Sequence, residues 1–497
     1  MRLFQLQADE PQPESFAIMQ ESSRSKALTL AILPVCLYLV IAPVWYPAVA
    51  ARMYDNARLL QLGVLSLAGL SLLLPAVRGA VAGAWLALGN LPRALIAVTI
   101  AGGALSASFS GAPRLGALEI ALVAQLVLLF LLVSAAVRDL REKVESVLAV
   151  AITSGAALVS VKFWVTQVLF LLEGKQFQWV SPFLDFANVR FFSQYQAYAL
   201  LLVPLAAALP GMSRTWRIAV YFIAANFWAL QWMAGSRAVW IGAVAGTLAV
   251  LALMRRGRIA WLGQQAMLVV SGALIYLLFS QVVASAPGAT PVPGVSAAAE
   301  FGSQSDTDRM AMASTSLKML AEHPLLGIGP GQWGLNQALV KNAHPHNSPL
   351  QLLSEYGFTA GAAGVALGML LLLFAVRALR AQTRQGASPV TASLCAALVM
   401  GLTDSLFSGN LIMPHSQILL CVIAGWLVGR TQATAPADEH GAGGRRPEKL
   451  VLVGVAMLAM CTTAVLAFKY VDVVSPMPGN LQLRHPHFWQ YGRFADW

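Results

Sequence analysis

The sequence predicts an all-α, polytopic transmembrane protein of about 12–14 spans. Three observations predict it. The chain of 497 residues is 58% hydrophobic and only 11% charged, with a mean hydropathy of +0.66, whereas soluble domains carry roughly 25% charged residues. Apolar runs of about twenty residues recur from end to end, each able to cross a hydrocarbon core of roughly 30 Å. Basic residues collect in alternate loops between those runs, the pattern of cytoplasmic loops.

Residues 1–26 form a polar segment ending in Ser23-Arg-Ser-Lys. It has neither the apolar core nor the cleavage site of a signal peptide and is expected to be cytoplasmic. Spans are expected at 27–50, 59–78, 94–110, 114–137, 146–173, 195–212, 217–234, 238–254, 264–285, 351–377, 389–408, 416–429 and 450–470. Between the second and third, Gly79, Gly83, Gly89 and Pro92 interrupt the pattern. The spans make one membrane domain over 27–470, followed by a tail at 471–497.

A cytoplasmic N-terminus satisfies every basic cluster at once. It places Arg24 and Lys26, Arg138, Arg141 and Lys143, Arg255, Arg256 and Arg258, Arg377, Arg380 and Arg384, and Arg430 with Arg445, Arg446 and Lys449 on one side. The loops at 174–194, 235–237, 286–350 and 409–415 and the tail then face outward. The loop 286–350 far exceeds its neighbours, and loops of that length are usually functional or unstructured. Its first part is rich in Pro, Gly and Ala. Its second, Asp308 to Glu322, spaces Met310, Met312, Leu317, Met319 and Leu320 among polar residues, as an amphipathic helix at a membrane surface does.

The net charge of +11 is explained by this loop bias, and no basic, aromatic-interleaved helix or nucleic-acid motif accompanies it, so no nucleic-acid partner is expected. Cys36, Cys395, Cys421 and Cys461 lie inside apolar runs without disulfide or metal spacing.

The chemistry concentrates in the outward loops. Asn342-Ala-His-Pro-His-Asn-Ser-Pro-Leu places His344, His346 and Asn347 together. A held imidazole can take a proton from an attacking hydroxyl; a structural pair bonded to backbone is an equal reading of these residues alone. A metal would need further ligands, and His415 and Asp404 have no spacing that links them to the pair, so no metal is expected. Arg190, in Asn188-Val-Arg-Phe-Phe-Ser-Gln-Tyr-Gln, Arg237, in Gly235-Ser-Arg, and Arg309, in Asp306-Thr-Asp-Arg, lie on the side that positive charge usually avoids. Snorkelling to headgroups would explain them; guanidinium forks that grip phosphate explain Arg237 and Arg309 better. Gly327-Ile-Gly-Pro-Gly-Gln-Trp lacks the Gly-Lys-Ser/Thr ending of a nucleotide loop and reads as a tight turn. Glu355, in Ser354-Glu-Tyr-Gly, either orients an imidazole or sits at a helix N-terminus.

Taken in order, Gly235-Ser-Arg, Arg309, His323-Pro-Leu-Leu-Gly-Ile-Gly-Pro-Gly-Gln, His344-Pro-His-Asn and Glu355-Tyr-Gly resemble the O-antigen ligase and polymerase superfamily of bacterial membrane glycosyltransferases. The resemblance spans about 190–430, and Ser408-Gly-Asn-Leu-Ile-Met-Pro-His-Ser-Gln looks like a further motif of one branch. It implies a helical fold of the membrane glycosyltransferase type, in the bacterial inner membrane, with no metal or other cofactor. It implies a glycan donor on undecaprenyl diphosphate and a lipid A–core acceptor, joined at the periplasmic face with inversion. His346 would be the general base, and Arg237 and Arg309 would hold the diphosphate. Arg190, Gln194, His344, Asn347 and Glu355 would contact substrate. A glycan polymerase and a protein O-oligosaccharyltransferase share this chemistry. A transporter of lipid-linked glycan would place ionisable groups at mid-membrane depth, where this sequence has few. The motif Arg484-His-Pro-His-Phe-Trp-Gln-Tyr-Gly-Arg has no assigned role.

Overall fold

A computed structural model describes residues 13–45, 53–175, 183, 186, 189–284, 302–336, 344–385, 388–432 and 446–472. The Pro- and Gly-rich part of the long loop, most of the 431–447 linker and the 484–493 motif lie outside the described residues.

The described residues form helices joined by short irregular segments, with no strand among them. The helices are α1 (Pro13–Ile41), α2 (Met53–Leu70), α3 (Pro75–Ala87), α4 (Asn90–Ser108), α5 (Pro113–Leu172), α6 (Val189–Ala199), α7 (Arg214–Ala234), α8 (Arg237–Leu253) and α9 (Arg258–Ala284). After them come α10 (Gly302–Glu322), α11 (Ser348–Gln385), α12 (Pro389–Asp404), α13 (Pro414–Gln432) and α14 (Arg446–Asp472). Among the described residues, eight helices are long and apolar enough to cross a membrane, and α8 and α12 are shorter apolar helices.

The expected spans 114–137 and 146–173 fall within the 60-residue α5, which contains one non-helical residue, Leu140. The chain reverses there. Asp139 meets Arg24 in the first half of α1, while Gly155 packs on Leu39 near the end of α1. The second half of α5 therefore runs alongside α1. In the first half, Phe130 and Ser134 pack on Gly425 and Gly429 of α13, whose next residue, Arg430, pairs with Glu145 beyond the turn. Two spans thus leave one basic end of the bundle. The region 79–93, read as interrupted, is divided: its first part belongs to the short helix α3 (Pro75–Ala87), Gly89 turns at φ 79°, and Asn90 begins α4. The Arg138 guanidinium donates to Ala80 of α3 at 3.2 Å.

Small residues close the helix seams, as expected where van der Waals contact replaces a hydrophobic driving force. Gly242 and Gly246 of α8 face the carbonyls of Met400 and Ala396 of α12. This antiparallel seam carries the start of α8, with Arg237, to the end of α12, with Asp404. Ser388, just before α12, accepts from Arg430 at 3.1 Å, which fixes the other end of the seam among the basic residues. The four cysteines are free thiols.

A Cβ at Gly246 would lie 2.5 Å from the Ala396 carbonyl oxygen, whereas nothing lies within 4 Å of one at Gly263 in α9. Gly246→Leu is expected to cost about 1–3 kcal/mol through overpacking, and Gly263→Leu less than about 0.5 kcal/mol. Thermal unfolding of the two detergent-solubilised variants separates them; equal midpoints would mean the seam is not tightly packed.

Candidate functional site

Opposite the basic end, three irregular segments meet: residues 323–333, 344–347 and 405–413. His346 lies in the second, directly before α11. Its φ is 52°, the only positive φ at a non-glycine among the described residues. That left-handed conformation is uncommon outside glycine, although Asn, Asp and His adopt it more readily than most. It persists because neighbours hold both sides. The His346 backbone N–H donates to Nδ1 of His344 at 3.2 Å, and the rings lie 4.2 Å apart at 65°. An accepting Nδ1 places the proton of neutral His344 on Nε2. His344 is buried, and its ring fills the space where a Cβ at Gly409 would otherwise stand, 2.2 Å from Cε1.

The next residues tie this turn to the end of α12. Asn347 donates from Nδ2 to the Leu406 carbonyl at 3.1 Å, and its Oδ1 accepts from the Leu350 N–H at 3.0 Å, capping α11. Ser348 N–H donates to the Ser405 carbonyl at 2.9 Å. The 405–410 turn is itself pinned: buried Asp404 accepts from Ser408 Oγ at 2.5 Å and from Asn410 Nδ2 at 2.8 Å. On its far side Arg58, fully buried in α2, donates to the Ile412 carbonyl and to Gln417 Oε1, each at 2.7 Å. Arg58 stands just before the expected span 59–78, among Asp55, Asn56 and Gln61, so nothing in the sequence singled it out.

Arg309, at the start of the described side chains of α10, and Arg190, at the start of α6, are the charged groups that act on His346. Both guanidinium groups are exposed at this end. Burial, then Arg309, then Arg190, lowers the His346 pKa to about 4. The imidazole is therefore neutral near pH 7, with a lone pair free to take a proton.

The other candidates stand around this trio. Gln194 lies one helical turn after Arg190, on the same face of α6; it is buried, and its Oε1 has no hydrogen-bond partner among the described residues. Arg237 begins α8 at the same end, exposed, after a left-handed Gly235 (φ 63°) closes α7. Gln231 donates to the Ser236 carbonyl at 3.3 Å and fixes that turn. Glu355 is buried and accepts from the Trp333 N–H at 3.0 Å, so its carboxylate faces the glycine-rich run. Of the two extra metal candidates, Asp404 holds the turn described above, and buried His415 bonds through Nε2 to the Ala42 carbonyl at 3.0 Å. No group of three or more His, Cys, Asp and Glu suited to a metal occurs among the described residues.

Sequence reasoning passed over Trp333, Gly357 and Gly409. Each lies inside a motif that the sequence offered without giving that residue a role, and only the packing shows what it touches.

Removing Arg309 removes one of the charges that depress His346, so Arg309→Gln is expected to raise its pKa from about 4 toward the ordinary histidine value. NMR titration of histidine-labelled protein reads this without any substrate. An unchanged titration would show that Arg309 does not face the imidazole.

A family model described as O-antigen ligase matches residues 222–365. The matched segment contains Arg237, Arg309, His344, His346, Asn347 and Glu355, while Arg190 and Gln194 precede it. No curated protein matches the chain. The match assigns this stretch of the chain to the O-antigen ligase family.

Proposed function

We propose that the protein is an inner-membrane O-antigen ligase, transferring a glycan from undecaprenyl diphosphate to the lipid A–core oligosaccharide at the periplasmic face. The observation that carries this reading is one neutral imidazole, His346, in the field of Arg309 and Arg190, inside the family-matched architecture.

In the proposed reaction His346 takes the proton from an acceptor hydroxyl as its oxygen attacks the anomeric carbon. The bond from that carbon to the diphosphate oxygen breaks from the opposite side, which inverts the configuration. Undecaprenyl diphosphate leaves with the bonding electrons. Arg309 and Arg237 hold the diphosphate as negative charge grows on it, where fixed positive charge lowers the barrier most. Arg190 and Gln194 contact the donor, with His344 and Asn347 bordering the site; the buried Glu355 supports it from behind.

The low resting pKa of His346 fits this sequence of events. A bound diphosphate offsets the arginine charges, and the imidazole becomes more basic once the donor has arrived. Proton affinity thus rises when a proton must be accepted. The positive-inside pattern supports the periplasmic orientation, and the reaction as written calls for neither a metal nor a nucleotide.

His346→Ala is expected to lower transfer by about 10²–10⁴-fold while the protein still inserts and purifies as a monodisperse species. Purified protein is supplied with lipid-linked donor and, separately, core lipid, a second lipid-linked glycan or an acceptor protein. Product is expected with core lipid alone, and chelator is expected to leave the rate unchanged. Chain growth on undecaprenyl diphosphate would make the protein a polymerase, and labelled protein would make it an oligosaccharyltransferase. Undiminished transfer by His346→Ala would remove that residue from the mechanism.

A further inference from the structure

The glycine-rich run 327–332 and the Glu355-Tyr-Gly motif form a single joint. Helix α11 contains one non-helical residue, Gly357, at φ 72° and ψ −179°. In an unbroken helix the Phe358 N–H would bond to the Ser354 carbonyl. Here the pair is separated, and each group bonds to the run instead. Phe358 N–H donates to the Pro324 carbonyl at 2.8 Å, and the Ser354 carbonyl accepts from the Ile328 N–H at 3.0 Å. Gly329 N–H donates to the Glu355 carbonyl at 2.9 Å, which also accepts from Ser106 Oγ at 3.1 Å. The backbones cross without side chains between them: a Cβ at Gly327 would lie 2.5 Å from Glu355 backbone atoms and from Gly357 N, and one at Gly357 would lie 2.3 Å from the Leu325 carbonyl oxygen.

Helix α10 enters this joint from its C-terminal end and is held by a second contact. Its buried residues after Arg309 are Met312, Ser316 and Met319, one stripe at helical spacing. Met312 and Met319 pack on Trp333, which is fully buried, and Trp333 Nε1 donates to Ser316 Oγ at 2.9 Å. The Trp333 backbone N–H is the group that the Glu355 carboxylate accepts from. Trp333 thus connects α10 to the broken turn of α11. The other faces of α10 are open, with Met310 76% and Leu317 54% exposed.

We propose that the Gly327–Gly357 joint, latched by Trp333, sets the pose of α10 and so holds Arg309 beside His346. Trp333 is then a positioning residue that acts through Arg309, and the inference rests on the role of Arg309 proposed above. The geometry suits the task. Arg309 lies in the N-terminal half of α10 and the joint at its C-terminal end, while His346 lies just before the same α11 that contains Gly357. Both groups are therefore referenced to one helix. A displacement of about 1 Å of a charge-stabilising group can cost roughly 10²-fold in rate.

The test combines a distance and a double-mutant cycle. Spin labels at Leu317→Cys on α10 and Leu172→Cys at the end of α5, in a chain lacking its four native cysteines, report the pose of α10. One narrow distance is expected in the parent. Trp333→Ala and Gly357→Val are expected to broaden or shift it. Ser316→Ala removes the Nε1 hydrogen bond and the serine's own bond to the Met312 carbonyl while leaving the indole packed, is expected to broaden it less, and is the variant to read if the others do not fold. In the transfer assay Trp333→Ala is expected to lower kcat by roughly tenfold or more. In an Arg309→Ala background it is expected to lower kcat no further, because a residue that acts through another shows non-additivity. Multiplicative losses, or an unchanged distance in Trp333→Ala and Ser316→Ala, would overturn the proposal. A parent protein that transfers no glycan would instead defeat the functional reading, and the distance measurement would still decide whether the joint sets the pose of α10.

Discussion

Backbone polar groups inside a membrane protein must find partners within it, because hydrocarbon offers none. Everything distinctive here follows from how that requirement is met where the chain is not helical. Segments 323–333, 344–347 and 405–413 interrupt the helices at one end, and the first residue and the broken turn of α11 meet the backbone groups of the first and third. Ser348 bonds to Ser405, Ile328 to Ser354, Gly329 to Glu355 and Phe358 to Pro324. A site composed of irregular backbone is thereby as fixed as one presented by helices. The cost is steric, because such exchanges need backbones to approach within van der Waals contact. Glycine at 327 and 357 permits that approach, and each has a positive φ that side chains disfavour.

The same construction explains the electrostatics. His346 is held in a left-handed turn between a buried imidazole and the capped start of α11, while Arg190 and Arg309 reach it from separate helices. Neither arginine forms part of the frame that holds the imidazole. Their charge can therefore meet a ligand without loosening His346. Frame residues such as Asp404, Asn347 and Glu355 direct their polar atoms into the protein. Exposed positive charge stands in front, and hydrogen-bonded groups support it from behind. That division suits an anionic substrate, since arginines bound to the protein's own carboxylates would have to exchange partners on binding.

Much was legible without coordinates. Composition and apolar periodicity determined the all-helical membrane fold, and alternating basic loops determined which helix ends lie together. The bundle gathers Arg24, Arg138 and Arg430 at one end, each with an acidic partner nearby. Arg190 and Arg309 were recognisable because they stand on the side that positive charge usually avoids, and His346 because a loop imidazole can take a proton. Their mutual proximity was not legible, since 156 positions separate Arg190 from His346 and no local rule connects them. The amphipathic segment was recognised as a helix, yet its apolar residues divide between two faces: Met312 and Met319 are buried, Met310 and Leu317 exposed.

What the sequence by itself determined was the set of local, one-dimensional properties. Hydropathy over about twenty residues specifies a span, charge bias specifies its direction, and residue type specifies what a side chain can do as an acid, base or anion ligand. What only the tertiary structure decided was which of those side chains share a site and which support it. Glu355 illustrates the difference. Its sequence position suited either an imidazole partner or a helix terminus, and the fold adds a contact that neither reading named, the carboxylate accepting from the Trp333 N–H. That choice depends on a break at Gly357 and on a run some thirty positions earlier folding back into it. Contacts of this kind arise from the packing of distant backbone segments, and each must compensate polar groups left unpaired elsewhere.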